Sequence, residues 1–247
     1  MLFSVVIPAH NEEDYIGYCI NSIYAARKYA KIPENQVQII VVCNRCTDNT
    51  AALAQKMGAE VCINDDKCIA AVRNAGAKLA KGKILVTIDA DSTMTKTSLI
   101  EIYRMLRSKK YIGGGTISTF DRWSLGIAAS AAYVAINAAP YMIEQKAPLM
   151  CGMFWCLKRH FDEIGGFDET LVSLEDMDFA VRLKKLGEKL GRKYGVLKKS
   201  RIITSSRKFD EFGDWYLIKN RDITKAIFTG KDREAADKFY YDLRDKK

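Results

Sequence analysis

Two histidines in 247 residues leave little room for histidine-rich metal chemistry, and four prolines exclude collagen-like and mucin-like architectures. No basic leader precedes the short apolar start from Met1 to His10, so that segment reads as a buried first strand and not as a secretory signal. Seven cysteines, an odd number at irregular spacings, argue against a secreted disulfide framework and for a reducing, cytoplasmic compartment. Internal repeats, low-complexity linkers and nucleic-acid motifs are all missing. The formal charge of +9 comes from Lys and Arg spread along the chain, which suits an anionic small substrate, an acidic membrane surface or plain solubility, with no nucleic acid implied. What remains is a chain that is 48% hydrophobic, long enough for one domain with a sizeable core and a small appendage.

The first 120 residues alternate between two periods. Short apolar, β-branched runs at Leu2–Ala9, Gln36–Cys43, Ala59–Ile63 and Lys83–Ile88 are interleaved with helical spacing at Glu12–Ala30, Asp48–Met57, Cys68–Ala80 and Thr97–Arg107. This pattern predicts βαβ units around a mostly parallel sheet. Because the runs are continuous and not alternating, both sheet faces are expected to be covered. Ligands of such sheets sit beyond the carboxyl ends of the strands. There the sequence places Pro8-Ala9-His10-Asn11-Glu12-Glu13, Asn44-Arg45-Cys46-Thr47-Asp48 and Asp89-Ala90-Asp91, three polar loops converging on one edge. The second half is less regular. Trp123–Ile143 carries no charge over 21 residues but is mostly alanine with Ser130, Asn137 and Pro140 inside, so it predicts a buried or interfacial helix and not a membrane span. A strand at Cys151–Leu157, a turn at Gly165–Asp168 and a helix from Leu174 to about Leu186 follow. The charged tail from Asp214 reads as helical, with Trp215, Tyr216, Phe239 and Tyr240 able to dock it.

Several groups carry chemical potential. Asp89 and Asp91 end a strand, and their i, i+2 spacing sends both side chains to the same side. Paired carboxylates there suit a hard cation, Mg²⁺ or Mn²⁺, although a simple capping loop is the competing explanation. Glu175 and Asp176 open a helix, where acids complement the dipole and Ser173 with Asp176 resembles a cap; equally, one acid is placed to act as a general base. Cys43 and Cys46 form a CxxC without the second pair that zinc needs, since Cys62 and Cys68 have the wrong spacing. Cys151 and Cys156 look like strand packing. Gly113-Gly114-Gly115 lacks the GxGxxG spacing of a dinucleotide site. His10 is either a ligand or a loop residue, and His160 reads as an ordinary surface histidine.

Taken in order, Val5–Glu13, Ile40–Thr50, Arg73-Asn74-Ala75-Gly76, Asp89-Ala90-Asp91, Gly165–Glu169, and Glu175-Asp176 with Arg182-Leu183 resemble glycosyltransferase family 2 over roughly residues 3–187. The resemblance implies the α/β GT-A fold: a mostly parallel central sheet flanked by helices, with a Rossmann-like nucleotide-binding half and an acceptor-side half. It implies a domain at 1–213 and a helical tail at 214–247 packed beside it. It also implies a nucleotide-sugar donor, Mn²⁺ or Mg²⁺, and an inverting transfer to an acceptor hydroxyl. By resemblance, Pro8, Ala9, Asn11 and Glu12 line the nucleoside pocket with Asn44 beneath the base, and Arg73 lies near the nucleotide. Asp89 contacts the nucleoside, with Asp91 and Asp89 at the metal. Asp176 is the catalytic base supported by Glu175, and Arg207, in Thr204–Arg207, stabilises the leaving diphosphate. Many members carry two acids where this chain has Cys43-Asn44, so a UDP-sugar is favoured with other bases left open. The Ala-rich stretch and basic balance suggest a saccharide or lipid-linked acceptor and peripheral contact with the inner face of a membrane. Two rivals stand beside this reading. A non-catalytic nucleotide-binding protein of the same fold would be expected to have lost Asp89, Asp91 or Asp176. A nucleotidyltransferase making sugar nucleotides would want a Gly-rich, Arg-containing loop after the first strand, where Pro8–Glu13 has none.

Overall fold

The computed structural model describes residues 1–145, 152–171 and 174–221. Cys151, Ser173, Phe239 and Tyr240, for which packing, capping and docking roles were expected, lie outside the described residues. The strands are β1 (Phe3–Ala9), β2 (Val37–Asn44), β3 (Glu60–Asn64), β4 (Ile84–Ile88), β5 (Ser92–Met94), β6 (Tyr111–Phe120), β7 (Met153–Leu157) and β8 (Lys193–Thr204). They form one sheet in the order β3-β2-β1-β4-β7-β6-β8-β5. The β1–β2, β1–β4, β2–β3 and β6–β8 pairings are parallel, and β7 and β5 run antiparallel to their neighbours. The first four strands match the expected runs to within a residue or two.

Every residue of β1 and β4 is buried, as continuous apolar runs require when helices cover both faces. Phe3, Val5 and Ile7 of β1 face one side, where α1 (Ile16–Tyr29), α2 (Thr50–Lys56) and α4 (Ser98–Arg107) close the core. Val6 faces the other side, covered by α3 (Ile69–Leu79), α6 (Lys158–Glu163) and α7 (Glu175–Lys189). On that face Phe154, Phe161, Phe167 and Phe179 form an aromatic cluster, with Phe167 and Phe179 stacked at 4.4 Å between centroids. Each such ring buries a large apolar area, so this cluster anchors α7 and the turn before it. Pro8 is tolerated in β1 because that strand leaves β4 after the Val6–Thr87 pairing, while β2 continues alongside to Ala9.

Three strands were not legible as such. The Gly113–Gly115 run lies in the middle of β6, between β7 and β8, where a Cβ at Gly114 would stand 1.9 Å from the Gly195 carbonyl oxygen and 2.7 Å from the Trp155 ring. The glycines therefore serve close strand packing and not a phosphate loop. His160 is a correction: it is 3% exposed, with Nδ1 3.3 Å from the Ile112 carbonyl oxygen, because α6 turns back beneath β6. Burial lowers its pKa. The expected Ala-rich helix is α5 (Leu125–Gln145), with Leu125 and Ile143 on its exposed side and Ile127 and Ala138 buried. Among the described residues no helix is long and apolar enough to cross a membrane. Asp214 is tied to the start of this helix by Arg122 and Ser124, and α8 (Arg207–Phe212) and α9 (Tyr216–Lys219) follow β8 on the same side.

Candidate active site

The carboxyl ends of β1, β2 and β4 bring the three polar loops together as expected. Asn11 Oδ1 accepts a hydrogen bond from the Thr47 amide at 2.8 Å, and the Glu12 amide donates to Thr50 Oγ1 at 2.7 Å. His10 donates from Nδ1 to the Asn44 carbonyl oxygen at 2.6 Å, which commits that ring nitrogen to the loop. Asn44 is 2% exposed; its amide nitrogen donates to the carbonyls of Asn64 and Asp66, each at 2.8 Å, fastening β2 to β3. Its Oδ1 is buried without a hydrogen-bond partner. Pro8 and Ala9 are buried at the strand end, and Cys46 donates to the Ala9 carbonyl at 3.4 Å. Neighbouring Cys46, then burial, push the Cys43 thiol up, while the neighbouring Cys43 pushes the Cys46 thiol down.

Two arginines organise the acids. Arg73, on α3 and 4% exposed, reaches Glu175 Oε1 at 2.6 Å, Asp176 Oδ1 at 2.8 Å and Asp89 Oδ1 at 3.0 Å. Burial alone would lower the Arg73 pKa, but Asp176, Asp89 and Glu175 more than offset it, so the guanidinium stays charged. Its chain neighbour Asn74 clamps the Gly165–Glu169 turn. The Asn74 amide donates to the Phe167 carbonyl and to Glu169 while its Oδ1 accepts from the Phe167 amide at 2.9 Å. That turn needs Gly166 at φ +72°, since a Cβ there would lie 2.5 Å from Asn74 Oδ1. Adjacent residues on one helix thus hold two separate parts of the second half in register with the first.

Glu175 and Asp176 begin α7 directly after Leu174, a leucine at φ +67°. That conformation is costly for a branched side chain and turns the chain sharply into the cleft. Asp176 Oδ2 also accepts from the Gly152 amide at 3.3 Å. Burial pushes the Asp176 carboxyl up, Arg73 pulls it down, and Glu175 and Asp89 push it up again, leaving it at about 7. The Asp89 carboxyl is likewise raised, by burial first, with Arg73 opposing. The raised carboxyl, the helix start and the cleft are together in Asp176 and its surroundings, which the dipole argument alone does not require.

Asp89 and Asp91 do not act here as a single pair. β4 ends at Ile88 and a turn follows, with the Ser92 amide donating to the Asp89 carbonyl, so the strand period no longer governs their directions. Asp89 faces Arg73, while Asp91 Oδ2 faces Arg207 at 3.2 Å. Arg207 lies just past β8 and pairs in a fork with Glu12, at 2.7 Å and 2.6 Å, its guanidinium 4.6 Å from the centroid of the Tyr15 ring. Neither Tyr15 nor the Glu12–Arg207 pairing was visible in the sequence; partners 195 residues apart leave no local signal. Among the described residues no group of three or more His, Cys, Asp or Glu side chains forms a cation cage. Of the two acids expected at a metal, Asp89 is taken by Arg73, and the oxygen-only donor Asp91 fits a hard divalent ion once other oxygens complete its shell.

The comparisons bear on this arrangement. Residues 4–165, well over half of the chain, match the family model described as glycosyl transferase family 2. Glycosyltransferase AglE of Haloferax volcanii is 31% identical over 94 residues, 36% of this chain and 30% of AglE. The poly(ribitol-phosphate) beta-glucosyltransferase of Bacillus spizizenii is 26% identical over 117 residues, 44% of this chain and 18% of that enzyme. The matched stretches therefore span less than a third of those relatives' length. Among solved structures, S. aureus TarS 1-349 in complex with UDP-GlcNAc superposes with a TM-score of 0.62 at 17% identity, covering 97% of this chain and 70% of that one. Glucosyl-3-phosphoglycerate synthase from Mycobacterium tuberculosis, in complex with Mn²⁺, UDP-glucose and phosphoglyceric acid, gives 0.58 at 17%, covering 95% and 79%. The fold is GT-A, as expected.

Proposed function

The chain belongs to glycosyl transferase family 2, and we propose that it moves a sugar from a nucleoside-diphosphate sugar, UDP-linked, to an acceptor hydroxyl by single displacement with inversion. The observation that carries this reading is the Arg73 guanidinium, which joins the donor-side Asp89 to Glu175 and Asp176 across the cleft. It holds a candidate base at a fixed offset from the donor loops, and positioning of that kind supplies much of the rate in group transfer.

In the reaction the acceptor hydroxyl loses its proton to Asp176 as its oxygen bonds to the anomeric carbon, and the bond to the diphosphate oxygen breaks on the opposite face. A carboxyl near 7 suits a base that takes a proton at neutral pH and hands it on. Glu175 keeps Arg73 in place beside that base, and Asp89 ends the same chain on the donor side. While Asp89 stays with Arg73, Asp91 would hold Mn²⁺ or Mg²⁺, which when bound would supply positive charge to the diphosphate. Arg207 adds a fixed cation beside it, and Pro8, Ala9 and Asn11 form the wall nearest the nucleoside. The unpartnered Asn44 Oδ1 has the acceptor polarity that a uracil ring N–H requires. UDP in the structural neighbours' complexes supports the same base, and Mn²⁺ in one of them supports the metal. The exposed apolar side of α5 and the basic balance favour a lipid-linked or otherwise membrane-proximal saccharide acceptor reached from the cytoplasm. In this reading residues 1–213 are the transferase domain.

A thermal-shift panel of UDP, GDP, TDP and CMP, each with and without Mn²⁺, tests it. Stabilisation by UDP that depends on Mn²⁺ is the expected outcome. Silence across the panel returns the chain to the non-catalytic reading, and release of pyrophosphate in place of nucleoside diphosphate during turnover points to nucleotidyl transfer.

A further inference from the structure

Arg207 makes two unequal contacts. Its fork with Glu12 has two short hydrogen bonds, 2.7 Å and 2.6 Å, to a carboxylate whose side chain is 2% exposed. Its contact with Asp91 is a single one at 3.2 Å, to a carboxylate that is 12% exposed. Separating the first pair would strand a buried charge without its partner, a heavy penalty. Giving up the second leaves Asp91 with the Ser92 hydroxyl at 3.4 Å and partial access to water, a far smaller penalty. The guanidinium is therefore anchored at Glu12 and only loosely engaged at Asp91. The Tyr15 ring beneath it restricts movement further.

We infer that Arg207 is a placeholder cation: in the nucleotide-free protein its guanidinium neutralises Asp91 and competes with a divalent ion for that carboxylate, while Glu12 keeps it in the site. This inference rests on the metal-assisted reading above and gives Glu12 a positioning role through Arg207. When a nucleoside diphosphate arrives, its negative oxygens offer the anchored guanidinium a new partner, and Asp91 is released to the metal. Donor and metal binding are then coupled, and the metal enters tightly only with the nucleotide. Linkage requires the same factor in both directions: whatever UDP adds to Mn²⁺ affinity, Mn²⁺ adds to UDP affinity.

The test is a Mn²⁺ titration followed by electron paramagnetic resonance, with the metal alone and with UDP, on wild type, Arg207→Ala and the double variant Glu12→Gln, Arg207→Met. The double variant leaves no buried carboxylate at position 12 without its cation, so it keeps the experiment meaningful where Arg207→Ala fails to fold. Wild type should bind Mn²⁺ weakly alone and at least tenfold more tightly with UDP. The variants should bind Mn²⁺ alone about tenfold more tightly than wild type does, with the enhancement by UDP reduced. Equal or weaker binding of Mn²⁺ alone by the folded variants overturns the placeholder role. Absence of Mn²⁺ binding by wild type even with saturating UDP overturns the metal-assisted reading itself, a separate failure visible in a separate arm.

Discussion

Replacing Arg73 with methionine removes one buried cation from among three carboxylates at 2.6, 2.8 and 3.0 Å. Methionine fills much of the stem's volume, so the loss is mainly electrostatic. Removing one partner of a buried ion pair costs about 3–5 kcal/mol, and in a chain of this length each kcal/mol lowers Tm by about 2–4 °C. The expected fall is therefore roughly 6–20 °C. Its pH dependence is the sharper test. The Asp176 carboxyl is already raised from its ordinary value to about 7, with Arg73 holding it down against burial, Glu175 and Asp89. Without the guanidinium the folded-state pKa moves higher still, while the unfolded value stays that of an ordinary carboxyl. The folded variant then binds more protons than its unfolded chain over a wider range, and its stability declines more steeply as pH rises. Melting curves of wild type and variant at pH 5.5 and pH 8 should show the deficit growing with pH. A deficit equal at both values, or a fall of less than about 3 °C, would refute the assignment of Arg73 as the cation that keeps this cluster ionised.

Asp176→Asn should lower transfer by about 10²–10⁴-fold, the range for loss of a general base, while UDP and Mn²⁺ still raise Tm as in wild type. In wild type, kcat/KM should climb with pH through an apparent pKa near 7, because the base works deprotonated, and the variant's residual rate should lack that limb. A variant that loses nucleotide stabilisation as well argues against a base role. Gly114→Ala places a Cβ 1.9 Å from the Gly195 carbonyl oxygen, on backbone that cannot turn aside. It should destabilise the chain by about 3 kcal/mol or more, read as a lowered urea midpoint with UDP affinity per folded molecule unchanged. A weakened nucleotide affinity in the folded variant would instead support a phosphate-binding role for the glycines.

Of the four parallel strands at the amino-terminal end, β1, β2 and β4 were readable because burial on both faces forces an unbroken apolar run, whereas β3 is a partly exposed edge strand read from its β-branched residues. β6 and β8 obscure their own signals. β6 has three consecutive glycines, and at Gly113 and Gly114 β7 and the backbone of β8 come too close for a Cβ, so the position under the strongest packing constraint shows the lowest strand propensity. In β8, lysines and arginine occupy the exposed positions between buried Leu197, Ser200 and Ile202, and the period of two breaks at Lys198-Lys199, so the charge resembles a surface loop. His160, expected at the surface, has its ring buried beside β6, where it meets the Ile112 backbone carbonyl, a tertiary contact that leaves no local signal.

The site shows where local pattern stops being informative. Loop residues at strand ends are legible because the topology of an α/β sheet places them before any side-chain geometry is known. Pairing is not legible, because Arg73 meets Glu175 102 residues further along the chain and Glu12 meets Arg207 at a separation of 195. Spacing even misleads at Asp89 and Asp91. Their i, i+2 separation suggests a shared clamp, but the strand ends one residue earlier and each acid turns to a different arginine. The two guanidiniums divide the acids into Glu175, Asp176 and Asp89 around Arg73 and Glu12 and Asp91 around Arg207. That division gives the motif its physical content. In the proposed mechanism the Arg73 group keeps the Asp176 carboxyl poised near 7, and the Arg207 group keeps Asp91 ready for a charge that arrives with the substrate. A single arginine bridging both acids would couple the base's proton affinity to the donor's arrival, and two arginines on separate elements allow each to be set independently.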